Sequence, residues 1–565
     1  AGQVAVIDLT SRTLIKTIDT VFDAGPLAMS PDGSRLFVAS HRSGQSNMFP
    51  YENRGSETEL DMAIIDLNTQ EVSGFILEVA STIQDLNFDS NGDLWVSATT
   101  NQTEGKLNKP EDRSFEHQIF ELTQAEGMAS RGRQVDLTRQ ATSTGSTANI
   151  QGFSMCDSSV WVIAEGSNQV VELNADLTEK SRVSVDGRPR TILCSNGTPW
   201  VVSSNRQLAF ELVEGTALTY DLGFTERRNP LLIDGLELFA AQGDGVGDNR
   251  SCSSCHVDGL SDGVVWNAGP VPNRQVTRPF RWLEGTSLIG WDGYVGSVKI
   301  SGFVGGSTTN HRGNTAEAKA IGTYIGSIMA APPANSHTHR DGTFSSTALE
   351  GKDIFENKAA CNSCHSGPVT TSKAVLAEGL TPGKTDIPTL VDVAKVGAWY
   401  KTGIMPSLRA TVEDTAIKFG RSLDDSEIDK VTRYLQELTG REFFVLNANL
   451  GPKADSFPVD GAVTLTFSYP VLNDPTNLSK LVIKDAGGTE IRVDRVVDGR
   501  HVTLTPRGSL DHVTSYNVEV IDGFVADDGR MVTPSSYGIT TAKAPSLVLD
   551  GEYTITVKVP MLNFQ

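Results

Sequence analysis

Val6-Ile7-Asp8-Leu9 returns along the chain as Ile64-Ile65-Asp66-Leu67, Ile119-Phe120-Glu121-Leu122, Val170-Val171-Glu172-Leu173 and Ala209-Phe210-Glu211-Leu212. Between these copies stand Leu36-Phe37-Val38, Leu94-Trp95-Val96, Val160-Trp161-Val162 and Trp200-Val201-Val202. Short apolar runs bounded by Pro31-Asp32-Gly33, Asn91-Gly92-Asp93 and Asn196-Gly197 read as buried strands joined by turns. Each repeat supplies about four strands, the signature of propeller blades. Residues 1–222 are therefore expected to form a β-propeller, with a two-strand half blade at 1–21 ahead of full blades. Four full blades follow the half blade, and propellers of this type usually close with more. A longer polypeptide or a partner that closes the ring is the expectation, and the strand-like Tyr553 to Val559 fits a further β segment at 544–565.

Near residue 229 the apolar spacing becomes helical. Leu231, Leu232, Leu236, Leu238 and Phe239 recur at helical intervals, as do Ala320 to Ile328 and Ile428, Val431, Tyr434, Leu435 and Leu438. Asp424, Asp425 and Ser426 offer N-caps and Gly440 a stop for the last helix. Two pentapeptides sit in this region: Cys252-Ser253-Ser254-Cys255-His256 and Cys361-Asn362-Ser363-Cys364-His365. In C-x-x-C-H, two thiols can add to the vinyl groups of one haem edge while the next residue reaches the iron. Both motifs follow similar segments, Gly235-Leu236-Glu237-Leu238-Phe239 and Gly351-Lys352-Asp353-Ile354-Phe355, so the region reads as a duplication. Two covalently bound haem c groups are the expectation, with His256 and His365 as proximal iron ligands. A zinc site would require cysteine pairs 109 residues apart to meet and would leave the two histidines as coincidence. A thioredoxin-like pair would want a βαβ setting that the chain lacks.

From about residue 446 the chain returns to strands: Val463 to Phe467, Leu481 to Ile483, Val502 to Thr505 and Tyr516 to Val520, an Ig-like sandwich over 446–543. The expected fold class is multidomain: an all-β propeller, an all-α cytochrome c-like pair at 229–335 and 340–442, then an all-β sandwich. The net charge of −21 argues against nucleic acid and anionic lipid, and fits either a basic redox partner protein or simply a solvated surface. No apolar run is long enough for a transmembrane helix. Covalent haem implies export to the periplasm or the cell surface, where disulfides persist. Cys156 and Cys194 stand at corresponding places in consecutive blades and are the candidate disulfide.

Met29-Ser30-Pro31-Asp32-Gly33-Ser34-Arg35-Leu36-Phe37-Val38 resembles the YVTN-type β-propeller family. Phe467-Ser468-Tyr469-Pro470-Val471 and Gly538-Ile539-Thr540-Thr541 resemble bacterial surface Ig-like modules. Residues 229–442 resemble the di-haem cytochrome c peroxidase and MauG superfamily through Ser251 to Gly259, Trp291-Asp292-Gly293, Ile387-Pro388-Thr389-Leu390 and the helix Asp425 to Leu438. That resemblance implies two haems serving either electron transfer or peroxide-dependent oxidation. The chain departs from it where such peroxidases carry His-Asp-Gly: here Trp399-Tyr400-Lys401-Thr402-Gly403 stands. Phe419-Gly420 and Val304-Gly305 stand where their distal Met precedes a Gly.

The sixth iron position separates carrier from enzyme, because two strong ligands close the iron and an open position admits peroxide. Met405, in Gly403-Ile404-Met405-Pro406, is the candidate for the second haem, and His311, in Asn310-His311-Arg312-Gly313, for the first. His337, His339, Met329 and Tyr400 are further candidates, each with an ordinary packing or surface reading beside it. Trp266, Trp282 and Trp291 lie between the motifs, where aromatics aid transfer or pack on porphyrin faces. Gly243 to Asn249 carries oxygen donors that a calcium ion could use, although a turn is the plainer reading. The expected function is single-electron transfer. The alternatives are a peroxidase or MauG-like oxidase and a haem-bearing surface or filament subunit that assembles through its unpaired strand edges.

Overall fold

The computed structural model describes residues 2–42, 60–101, 115–123, 126–138, 147–203, 205–213, 215–223, 230–242, 251–267, 274–280, 315–327, 344–366, 370–372, 374–376, 384–395, 399–405, 407–438, 443–450, 456–467, 469–527, 529–532 and 534–543. The N-terminal repeats form successive antiparallel meanders. β1 (Gln3–Asp8) and β2 (Thr13–Asp19) pair alone. β3 (Ala24–Met29), β4 (Arg35–Ser40), β5 (Leu60–Asp66) and β6 (Glu71–Leu77) form the first full sheet. β7 (Thr82–Phe88), β8 (Leu94–Asn101) and β9 (Phe115–Leu122) form the second, which β11 (Arg131–Asp136) completes. Between them in sequence, β10 (Gly127–Met128) crosses back to lie parallel to β6. β12 (Ile150–Cys156), β13 (Ser159–Ala164), β14 (Gln169–Leu173) and β15 (Glu179–Ser184) form the third sheet. β16 (Pro189–Ser195), β17 (Thr198–Ser203), β18 (Leu208–Val213) and β19 (Thr216–Asp221) form the fourth.

The first strands of the four sheets, β3, β7, β12 and β16, touch in that order, so the sheets stack face to face in sequence. The core lies between those faces. Phe37, Ile64 and Ile76 of the first sheet meet Ile83, Val96 and Phe120 of the second. Trp95 and Ile119 meet Phe153 and Val162, and Trp161 and Val170 meet Ile192 and Phe210. β13 is buried at every residue, because both faces of a stacked middle sheet are covered. Each fully buried Val, Ile or Phe contributes about 1.5–3 kcal/mol relative to exposure. A disulfide links Cys156 at the end of β12 to Cys194 in β16.

The all-α expectation for 229–442 is corrected. Among the described residues of the chain strands dominate, and the described helices of this region, four to thirteen residues long, are interrupted by other chain. α1 (Pro230–Ala240), α2 (Cys252–Cys255), α3 (Thr315–Ser327), α4 (Ser346–Asp353), α5 (Leu408–Lys418) and α6 (Asp425–Glu437) alternate with irregular chain and two hairpins. One hairpin pairs β20 (Val265–Asn267) with β21 (Arg274–Val276), the other β22 (Val375–Leu376) with β23 (Thr385–Asp386). Strands of two or three residues are too short to show a period of two, so helical spacing on either side hid them.

The two halves still share one packing device. Gly235 in α1 lies so close to α3 that a Cβ would come within 2.0 Å of the Ala320 carbonyl oxygen. Gly351 in α4 lies equally close to α6, where a Cβ would come within 1.9 Å of the Lys430 carbonyl oxygen. Four residues on, Phe239 packs edge-on to Tyr324, and Phe355 packs against Tyr434. The C-terminal sandwich stacks one sheet, β24 (Val445–Asn449), β25 (Val463–Phe467), β28 (Val493–Asp498) and β29 (His501–Pro506), on a second. That second sheet holds β26 (Leu481–Asp485), β27 (Glu490–Ile491), β30 (Ser515–Val520) and β31 (Ser535–Thr540). Phe443, Phe467 and Phe524 stack at its centre. The segments 544–565 and 243–249 lie outside the described residues.

Candidate functional site

The second C-x-x-C-H borders a cavity of about 300 Å³, within the range of small-molecule and cofactor pockets. Cys361, Cys364 and His365 line one side, while Phe355, Ile387, Leu390, Trp399, Leu408 and Leu435 make the rest largely apolar. His365 Nδ1 lies 3.1 Å from the Thr370 carbonyl oxygen. That bond places the proton on Nδ1 and leaves Nε2 with its lone pair, the tautomer a metal-ligating imidazole needs. Burial lowers the His365 pKa and keeps the ring neutral. Thr370 is held in the left-handed region at φ +50°, and its Oγ1 accepts from the Leu390 amide at 2.8 Å. The histidine's partner is thus fixed by the Ile387–Leu390 segment, which also lines the cavity.

Met405 does not line this cavity. It packs on the core around Phe355 and Trp399, with its backbone bridged to Trp399. The wall carries Tyr400 and Lys401 instead. Tyr400 adopts φ +67°, a conformation that costs a non-glycine residue energy. Its hydroxyl donates to Asp414 Oδ2 at 2.8 Å and accepts from Thr415 Oγ1 at 2.7 Å. Burial, with the Asp414 carboxylate beside it, raises the phenol's pKa and keeps it protonated. Lys401 is buried and donates to the Lys384 carbonyl oxygen at 3.2 Å.

At the first motif, Ser251 caps the short helix α2 through a capping box with Ser254. Phe239, Cys252, Ile321 and Ile325 form the apolar wall, with Phe280 and Tyr324 packed against it. The His256 ring stacks on Phe280 with centroids 3.8 Å apart. Burial lowers the His256 pKa to about 4, so the imidazole is neutral. Its Nδ1 is shut from solvent and has no hydrogen-bond partner among the described residues.

The stacked sheets hold this first motif. Asn149, just before β12, donates through Nδ2 to Ser251 Oγ and Ser253 Oγ and to the Ala240 carbonyl oxygen. Its Oδ1 accepts from Ser254 Oγ at 2.8 Å. Arg42 donates to the Ser261 carbonyl oxygen, and His41 Nδ1 lies 3.6 Å from Asp258 Oδ2. Nothing local in the sequence marks His41 or Asn149 for this role, because the partners they meet at the motif lie about ninety residues or more along the chain.

The segment after β21 ties the two sites together. The Val276 amide donates to the Lys401 carbonyl oxygen at 2.8 Å, Arg278 pairs with Asp386 at 2.8 Å, and Phe280 carries His256. His311, His337, His339, Met329, Trp282 and Trp291 lie outside the described residues, as does the side chain of Trp266. Among the described residues no three His, Cys, Asp or Glu side chains converge as a ligand set.

Residues 442–541 match the bacterial Ig-like domain family. This is the class that the C-terminal sandwich defines, and it covers that part of the chain alone. No curated protein matches the chain. Among solved structures it is similar to hydrazine synthase of Kuenenia stuttgartiensis, at 19% identity over 37% of this chain and 87% of that one, with a TM-score of 0.33. A MauG-like protein associated with microbial copper homeostasis is similar at 16% identity over 40% of this chain and 96% of that one, with a TM-score of 0.31. Catalytically inactive virginiamycin B lyase of Staphylococcus aureus follows at 12% identity over 37% of this chain and 75% of that one, with a TM-score of 0.24. No helix among the described residues is long and apolar enough to cross a membrane.

Proposed function

We propose that the chain is a di-haem c-type cytochrome that carries single electrons outside the cytoplasm. The observation that supports this most is the apolar cavity at the second motif. A flat, largely apolar group held by two thioethers fits a wall of Cys361, Cys364 and aromatic and aliphatic side chains, and the His365 tautomer fits an iron ligand. Cys361 and Cys364 would hold one haem covalently, Cys252 and Cys255 the other, with His365 and His256 on the irons. Bound there, haem supplies a one-electron couple whose potential depends on axial ligation and burial. The chain's own part is to exclude water, keep both imidazoles neutral and fix their orientation, through Thr370 at one site and Phe280 at the other. The match of 442–541 to bacterial Ig-like domains and the Cys156–Cys194 disulfide suit an oxidising, extracytoplasmic setting.

A second reading is an oxidase or peroxidase with one iron open to hydrogen peroxide. It is favoured by the cavity wall, where a protonated, doubly bonded Tyr400 stands and Met405 does not. EPR spectra of the ferric protein, and again after partial reduction, separate the two. Low-spin signals alone support the carrier. A high-spin signal in either state supports the enzyme. Substitution of Met405, Tyr400 and Lys401, and of His311 for the first haem, then identifies the distal groups.

A further inference from the structure

Asp386 ends β23 and is 1% exposed. One carboxylate oxygen, Oδ2, accepts from Arg278 Nη1 at 2.8 Å. The other, Oδ1, is shut from solvent and has no hydrogen-bond partner among the described residues. Both Asp386 and Arg278 line the cavity that Cys361, Cys364 and His365 border. An ionised carboxylate needs acceptor sites filled on both oxygens, and a buried one filled on one side only is costly. Burial accordingly raises the carboxyl's pKa, against the pull of Arg278. The other charged side chains of the wall are Lys401, Arg421 and Asp392, and Lys384 lies two residues before Asp386.

We propose that Asp386 is the proton-accepting group of the second haem site, taking up one proton for each electron delivered there. This rests on the haem reading above. In the oxidised protein Asp386 is a carboxylate paired with Arg278. An electron from a one-electron donor removes one positive charge from the low-dielectric cavity, so the carboxylate loses part of its stabilisation. Asp386 then takes a proton that reaches it through the cavity it lines, forming one O–H bond and no other, and Oδ1 is the unpartnered oxygen that receives it. On oxidation the electron and the proton leave together. The pairing of Arg278, from the first half, with Asp386, from the second, makes this step sensitive to how the halves dock.

The test is a spectroelectrochemical titration of the full-length holoprotein from about pH 5 to about pH 9. Two Nernst components are expected. One should fall with rising pH by up to about 59 mV per pH unit, a decade of proton activity for a one-electron couple. Asp386→Asn should flatten that component and leave the other unmoved. Arg278→Gln removes the cation that favours the carboxylate and should move the sloping window to higher pH. The same slope in wild type and Asp386→Asn overturns the proposal, as does an Asp392→Asn variant that flattens the component instead. Haem staining of the denatured protein distinguishes the deeper failure: a chain with no haem on Cys361 and Cys364 removes the reading on which the proposal rests.

Discussion

His365 and His256 are the same residue in the same pentapeptide, yet the structure treats them differently. One has its Nδ1 proton anchored on Thr370, and the other is orientated by the face of Phe280. The motifs were legible because C-x-x-C-H places all its chemistry within five residues. Their supports were not, because Thr370, Phe280 and Asn149 act through contacts that no local pattern encodes. Asp85 makes a further test at this scale. It lies in β7 and accepts from the amides of Leu86 and Phe153, yet burial raises its pKa to about 6. A carboxyl with a raised pKa binds more protons folded than unfolded, so folding stability falls as pH rises from about 4 to about 6 and stays lower above. Asp85→Asn removes the charge but keeps only one of the two accepting oxygens, so one amide loses its partner at every pH. Relative to wild type, the variant should gain about 2–3 kcal/mol of stability between pH 4 and pH 7. Thermal unfolding at both pH values checks this, and an equal shift at both would count against it.

Helix pairs repeat where sequence similarity is faint. Gly235 and Gly351 each mark a helix crossing, and the aromatic four residues later packs on a tyrosine of the partner helix. The sequence repeat around these glycines was visible, but its cause was not: only the missing Cβ lets the backbones touch. Gly351→Ala places a methyl group against the Lys430 carbonyl and should cost about 1–3 kcal/mol through overpacking. Equilibrium denaturation should show that loss, together with reduced haem incorporation at the second site only. The hairpins β20–β21 and β22–β23 set the limit on sequence reading of the middle region. Each is held by cross-strand pairing, and Val276 and Asp386 at their ends make contacts between the two sites.

The stacked sheets of the N-terminal region were legible as a whole because one strand phrase recurs with every sheet. Their use was not: the sheets serve as a seat for the first C-x-x-C-H, through Asn149, Arg42 and His41. The disulfide between Cys156 and Cys194 ties the third sheet to the fourth. Reducing it, or replacing both cysteines with serine, should lower stability by about 2–4 kcal/mol. Thermal melts with and without reductant measure that loss, and they should leave the haem spectrum unchanged, since the bridge lies apart from both motifs. The proposed function depends on covalent haem at two places. The most direct test is intact mass spectrometry with haem staining of the denatured holoprotein, made in a host that attaches haem c. The account requires two haem increments in the wild-type chain, and one in the Cys361→Ala/Cys364→Ala and Cys252→Ala/Cys255→Ala variants alike. A wild-type chain that carries no covalent haem, under conditions where a known c-type cytochrome is loaded, would contradict it.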